Sequence, residues 1–159
     1  MSLVVDTHAF IWFLARSSDL SSFARQAIRD TIQAGRPVYV SSITVVEVVY
    51  LVEKTRLSQQ NLIDLKATLH RPDSGFKVQP FDLAIAEQLE NVSRDQIPDM
   101  PDRMIAATAQ HLGLPLVTKD HQIQTSEVET MLSEEIFGQV SSHFVFRNRR
   151  KPGITYDST

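Results

Sequence analysis

Four acidic residues stand where water should be scarce. Asp6 follows Leu3-Val4-Val5, Glu47 interrupts Val45-Val46-Val48-Val49, Asp102 begins an apolar helical stretch, and Asp120 ends Leu116-Val117-Thr118. An ionised carboxylate in apolar company is costly unless a cation or several hydrogen-bond donors accompany it. Taken singly, each acid has a structural reading. Asp6 can cap the helix after it, Thr44 to Glu47 matches a capping box, Asp102 can complement a helix dipole, and Asp120 can serve a turn. Taken together they point to a divalent cation, because the nearby basic residues, Arg103 and Lys119, are direct neighbours of other acids. Hard Mg²⁺ or Mn²⁺ prefers oxygen donors, and a few carboxylates plus water are its usual site. Zinc is disfavoured: His8, His70, His111, His121 and His143 show no HExxH-like spacing, and His111 suits a helix C-terminus. Such a metal favours phosphodiester hydrolysis, since it lowers the pKa of water and steadies charge on phosphoryl oxygens without a side-chain nucleophile.

The elements that must position these acids follow from the hydrophobic pattern. Leu3 to Val5 reads as a short buried strand, with a strand-to-helix junction at Asp6-Thr7 and a helix over His8 to Ala15 that is apolar nearly all round. Ser21 to Ala34 is an amphipathic helix ended by Gly35, and Val38 to Val40 has strand character. Ser41 or Ser42 leads into an apolar helix over about Thr44 to Lys54, and another runs from Ser58 to near Leu69. The Pro72-Asp73 and Gly75 loop precedes a strand at Phe76 to Val78. Asp82 caps a helix reaching about Val92, Asp99-Met100-Pro101-Asp102 opens the next, Gly113 ends it, and Pro115 to Thr118 is a strand. Strands this short and apolar, separated by helices, predict an α/β fold: a small parallel sheet with helices on both faces. In such sheets the ligand crevice lies at the carboxyl ends of the strands, where Asp6 and Asp120 fall.

Length and composition narrow the field. The chain has 159 residues, which fits one domain; 42% are hydrophobic and 22% charged, which argues against wholesale disorder. There is no cysteine, so disulfides, thiolate metal sites and cysteine nucleophiles are all excluded. No apolar run reaches the roughly 20 residues of a membrane span, and MSLVVDTHAF lacks the plan of a signal peptide. A cytoplasmic protein without membrane contact is expected. The net charge of -3 hides an asymmetry. Residues 141–159 carry Arg147, Arg149, Arg150 and Lys151 against Asp157, which leaves the body acidic and of the wrong sign to grip nucleic acid by a broad basic face.

VVDTHAFIW, SSITVVEVVYL, DMPDRMIAATA and LPLVTKD, in this order over about residues 2–123, resemble the successive motifs of PIN-domain ribonucleases, in particular the VapC-type toxins of toxin–antitoxin pairs. The resemblance implies a three-layer α/β/α fold and a metal-dependent endoribonuclease. Asp6, Glu47, Asp102 and Asp120 would be its catalytic, metal-binding quartet around Mg²⁺ or Mn²⁺. It implies that Thr118 supports the site from outside the metal shell, with Asp99 as helix cap or outer group, because the proline of the family's D-P-x-D is shifted here by one. It also implies an RNA substrate, a homodimer and a small cognate antitoxin lying in a groove beside the site. Phe10, Trp12 and Phe13, with Val48, Tyr50 and Leu51, give two helices more apolar than burial on one side requires and are the expected partner surface, although a buried core shares that composition. Residues 1–140 form the expected nuclease domain. Residues 141–159 form a last strand, at His143 to Phe146, and a basic tail rather than an RNA-binding arm.

Other acid-bearing α/β folds fit less well. A receiver-type phosphoacceptor domain needs an acidic pair after the first strand, where Asp6 stands alone, and a haloacid-dehalogenase-like phosphatase needs Asp-x-Asp, where this chain has Asp6-Thr7-His8. The rival from a different class is a noncatalytic PIN-like binding module whose acids serve structure or partner contact.

Overall fold

The structure is a computed structural model that describes residues 1–118 and 130–132. Its centre is a five-stranded sheet formed by β1 (Leu3–Val5), β2 (Val38–Ser41), β3 (Phe76–Gln79), β4 (Leu116–Thr118) and β5 (Thr130–Leu132). The order across the sheet is β3-β2-β1-β4-β5, and every neighbouring pair is parallel. Val5 lies opposite Val40 on one side and Val117 on the other. Because the chain builds outward from β1 to β3 and then returns to β1's other edge, the sheet has a topological switch point between β1 and β4.

Among the described residues six α-helices link β1 to β4: α1 (Thr7–Leu14), α2 (Ser22–Gln33), α3 (Ser42–Glu53), α4 (Gln59–His70), α5 (Leu83–Gln88), which runs into a 3₁₀ turn at Leu89–Asn91, and α6 (Met100–Leu112). The period of two along β1 splits the core into two layers. Leu3 and Val5, with Val38, Val40 and Val117, face Phe10 of α1, Ile28 of α2, Val48 of α3 and Leu65 of α4. Val4 and Leu116 face Ile85 of α5 and Ile105, Ala106 and Ala109 of α6. The expected three-layer α/β/α arrangement is therefore present.

The loops hold the ends in place. Asp82 caps α5, accepting from the Ile85 amide at 3.1 Å, and Gly113 ends α6 at a φ of 62°, in the left-handed region that glycine tolerates best. Gly75 is more constrained, with a φ of 80° and a Cβ position that would fall 2.6 Å from Ile32 Cγ2. Only glycine lets α2 pack this closely over the entry to β3. The strand β5 has no counterpart in the sequence reading. The strand expected at His143 to Phe146 and the tail after it lie outside the described residues.

Candidate active site at the carboxyl edge of the sheet

Asp6 follows β1 directly and is 4% exposed. Its amide donates to Val117 O at 3.0 Å, which fixes it at the switch point beside the end of β4. Its Oδ1 accepts the Ala9 amide at 2.6 Å and caps α1, so the structural reading of this residue is realised. Capping engages one oxygen of a group that can accept about four hydrogen bonds, so the same carboxylate can also serve a ligand.

Glu47 differs from its structural reading. The N-cap of α3 is Ser41, whose Oγ accepts the Ile43 amide at 3.3 Å, so Thr44 and Glu47 do not form a capping box. Thr7 Oγ1 instead donates to Glu47 Oε2 at 2.6 Å and also lies 3.3 Å from Thr44 Oγ1. Thr7 and Thr44 are buried, so the hydroxyl that holds the carboxylate is itself packed against a second hydroxyl, from α3. Burial pushes the Glu47 carboxyl above its ordinary value near 4.5. The Thr7 hydrogen bond and the charge of His8 pull it down, and the charges of Asp99 and Asp6 push it further up. Thr7 was not among the residues singled out from sequence; the available signal was a hydroxyl placed directly after the acid at a strand-to-helix junction.

At the start of α6, Asp99 holds the N-cap position but makes no side-chain cap bond, while Pro101 and Asp102 occupy the first turn. The field of Asp99 at Glu47 brings it to the site, and Asp102 is partly buried beside it in sequence. Arg103 is directed elsewhere. Its Nη2 donates to Leu89 O at 3.2 Å and Val92 O at 3.0 Å, and its Nε is buried without a hydrogen-bond partner among the described residues. The guanidinium thus ties α6 to the 3₁₀ turn. Thr118, at the end of β4, is fully buried. Asp120 and Lys119 lie outside the described residues. Among the described residues no group of three or more His, Asp or Glu side chains is close enough to hold a metal ion. The donors gathered near Glu47 are nevertheless hard oxygens with mutually repelling charges, which is the chemistry that fits Mg²⁺ or Mn²⁺.

The raised Glu47 carboxyl has a measurable consequence. The folded protein holds this proton to higher pH than the unfolded chain does, so a stability penalty develops as pH rises from about 4.5 through the folded-state value and is complete above it. Without divalent cations, Glu47→Gln, which still accepts from Thr7, is expected to be more stable than wild type at pH 7 to 8. The gain should be modest, below about 1 kcal/mol after solvent screening of a partly exposed group, and should vanish near pH 4. Thermal melts across this range check it; a variant less stable than wild type at pH 7 contradicts it.

The expected partner residues divide by burial. Phe10 and Val48 are 0% exposed and belong to the core, with Phe10 against Phe76 at 4.8 Å between ring centroids. Trp12 and Phe13 are half-buried against the same core, Phe13 also against Phe76, and Leu51 is half-buried. Tyr50 is 53% exposed, and Val46, one turn earlier on α3, is 64% exposed. Phe10 and Val48 thus lie in the core of the chain, because the sheet and α4 cover the sides of α1 and α3 that sequence periodicity leaves unassigned. A cavity of about 320 Å³ lies at the opposite, amino edge of the sheet, among Met1, Leu3, Phe23, Ala27 and Pro115. It shares no residue with the acidic site.

A parallel sheet with a switch point and carboxylates delivered to its carboxyl edge by one strand end and two helix starts defines a class of open α/β domains built to bind a ligand there. The chain belongs to the PIN domain family, which it matches over residues 3–127 and whose members are generally nucleases. No curated protein sequence matches it. Among solved structures it is similar to a chain of VapBC2 from Rickettsia felis bound to a promoter DNA fragment, with 17% identity, a TM-score of 0.63, and coverage of 84% of this chain and 100% of that one. It is also similar to a chain of a toxin–antitoxin complex from Klebsiella pneumoniae, with 25% identity, a TM-score of 0.55, and coverage of 84% and 99%. A third is a chain of DNA-bound VapBC from Salmonella typhimurium, with 21% identity, a TM-score of 0.60, and coverage of 82% and 97%. Among the described residues no helix is long and apolar enough to cross a membrane.

Proposed function

We propose that the chain is a Mg²⁺- or Mn²⁺-dependent endoribonuclease and the toxin of a toxin–antitoxin pair, held inactive by a small cognate antitoxin and acting as a homodimer in the cytoplasm. The observation that carries the nuclease reading is Glu47, half-buried, hydrogen-bonded by Thr7 at 2.6 Å, and repelled by Asp6 and Asp99 at the carboxyl edge of a PIN-family sheet. The toxin reading is supported by the similar structures, which are toxin–antitoxin complexes.

Asp6, Glu47, Asp102 and Asp120 would hold the cation, with Thr118 and Asp99 supporting them. When bound, the cation supplies charge for phosphoryl oxygens and lowers the pKa of water, which an acidic crevice cannot do alone. The protein's own groups orient. The Ala9 amide fixes Asp6, and the Thr7 hydroxyl holds Glu47 in one rotamer, so little ordering remains to be done when substrate arrives. An acidic body offers the RNA backbone little attraction of its own, so cleavage depends on the cation.

Calorimetric titration of the purified protein with Mg²⁺ and Mn²⁺ tests this reading. Binding is expected in the wild type, together with a raised melting temperature, and both should be lost in an Asp6→Asn/Asp102→Asn double variant. No binding by the wild type, or equal binding by the variant, favours the noncatalytic PIN-like binding module, for which the cap made by Asp6 is the one favourable observation.

A further inference from the structure

We propose that His8 and Trp12 form a stacking platform that receives an unpaired nucleobase of the RNA beside the acidic crevice. This rests on the nuclease reading above and adds the part of the site that would touch a base rather than a phosphate.

The geometry of α1 separates two sets of rings. Phe10 and Phe13 turn inward, with their centroids 4.8 Å and 5.6 Å from that of Phe76. His8 and Trp12, four residues apart and so on one face of the helix, pair with each other instead, with centroids 5.6 Å apart and planes tilted by 50°. His8 is exposed and Trp12 half-buried, so the indole is anchored in the core while the imidazole stands at the surface. Their position is set by the catalytic geometry. His8 directly follows Thr7, whose hydroxyl holds Glu47, and the charge of His8 is felt at the Glu47 carboxylate. The ring pair therefore stands at the rim of the crevice that would take the scissile phosphate.

An anchored aromatic pair at that distance suits a nucleobase in particular. Aromatic side chains bind single strands by stacking, which tolerates any base because every base has a π face. The bases of a duplex are already stacked on each other and cannot be taken up in this way, so the platform selects unpaired RNA. An acidic body offers little backbone attraction, and a stacking contact supplies affinity independent of charge. The competing reading is that the two rings only stabilise α1, as pairs at this spacing do in isolated helices.

Trp12 is the chain's single tryptophan, so its emission reports on this one place. The full-length protein carrying Glu47→Gln is titrated with single-stranded hexaadenylate RNA in the presence of Mg²⁺. Quenching of Trp12 is expected with this RNA and not with an abasic oligomer of the same backbone. Adding His8→Ala should weaken binding about tenfold, the scale of one lost base stack. Adding His8→Phe, which keeps a ring without the imidazole, should restore affinity to within about twofold. Equal affinity with His8→Ala, or His8→Phe as weak as His8→Ala, overturns the platform, as does an effect confined to the melting temperature. Cleavage of the same RNA by the protein with Glu47 intact separates the two readings. Cleavage with no effect of His8→Ala on Trp12 quenching removes the platform alone; quenching that needs His8 but no cleavage removes the nuclease and keeps the base site; neither binding nor cleavage removes both.

Discussion

Glu47→Gln is expected to lower metal-dependent RNA cleavage by more than about a hundredfold while the protein stays folded. The reasoning compares two substitutions on one hydrogen bond. Thr7→Val removes the hydroxyl that holds Glu47 Oε2 at 2.6 Å but leaves the carboxylate in place, and loss of a supporting group of this kind typically costs 10- to 100-fold. Glu47→Gln removes the charge itself and should cost more. Thr7→Ser, which restores a hydroxyl, should recover most of the activity that Thr7→Val loses. EDTA should abolish cleavage in every active protein. The assay is endonucleolytic cleavage of a single-stranded or looped RNA with a duplex as control. Full activity of Glu47→Gln, or of the wild type in EDTA, would sink the mechanism.

Phe10→Ala is expected to destabilise the protein by about 3–5 kcal/mol, whereas Tyr50→Ala should change stability by no more than about 0.5 kcal/mol and instead impair antitoxin binding. Phe10 is fully enclosed and its ring meets Phe76, so truncation leaves a cavity in the layer that joins α1 to the sheet. Tyr50 is 53% exposed and shares the outer stripe of α3 with Val46, an apolar surface that the described fold leaves open to solvent. If the antitoxin covers this stripe, an aromatic anchor at its centre contributes about 2 kcal/mol or more to binding. Urea unfolding measures the first quantity, and titration with the co-expressed partner measures the second. Hydrogen exchange in the complex should protect α3; protection confined to residues 141–159 would move the interface to another part of the molecule.

The two substitutions also mark how far the sequence could be read. The strands at Leu3, Val38, Phe76 and Leu116 were legible because short apolar runs bounded by polar residues have few other uses, and α5 and α6 were legible from Asp82, Pro101 and Gly113. The parallel sheet followed from the helices between the strands. What hydropathy could not resolve was coverage. α1 and α3 look alike in sequence, yet whether a given apolar residue faces the sheet, α4 or solvent depends on neighbours tens of residues away, which is why Phe10 and Tyr50 have opposite fates. The strand Thr130–Leu132 carries only three residues after a polar stretch and gave no recognisable period. At the site, Asp6 and Glu47 could be named from their apolar surroundings, but local pattern also allowed a capping box for Glu47, where the cap is Ser41 instead. The hydroxyl that actually holds it comes from forty residues earlier.

Placing β1 at the centre of the sheet, between β2 and β4, has a consequence for the newly made chain. Val4 must wait for Leu116, more than a hundred residues later, before its second edge is paired. At synthesis rates of about 5–20 residues per second, the first strand emerges from the ribosome many seconds before its last neighbour. During that interval the amino-terminal half can pair only β1, β2 and β3, and the switch point, which needs β4, does not exist. The same centrality that gathers the acids thus delays their assembly until β4 has been made. A ribosome that stalls or terminates before β4 releases a fragment in which β1 is left with one open edge and no crevice is assembled between β1 and β4.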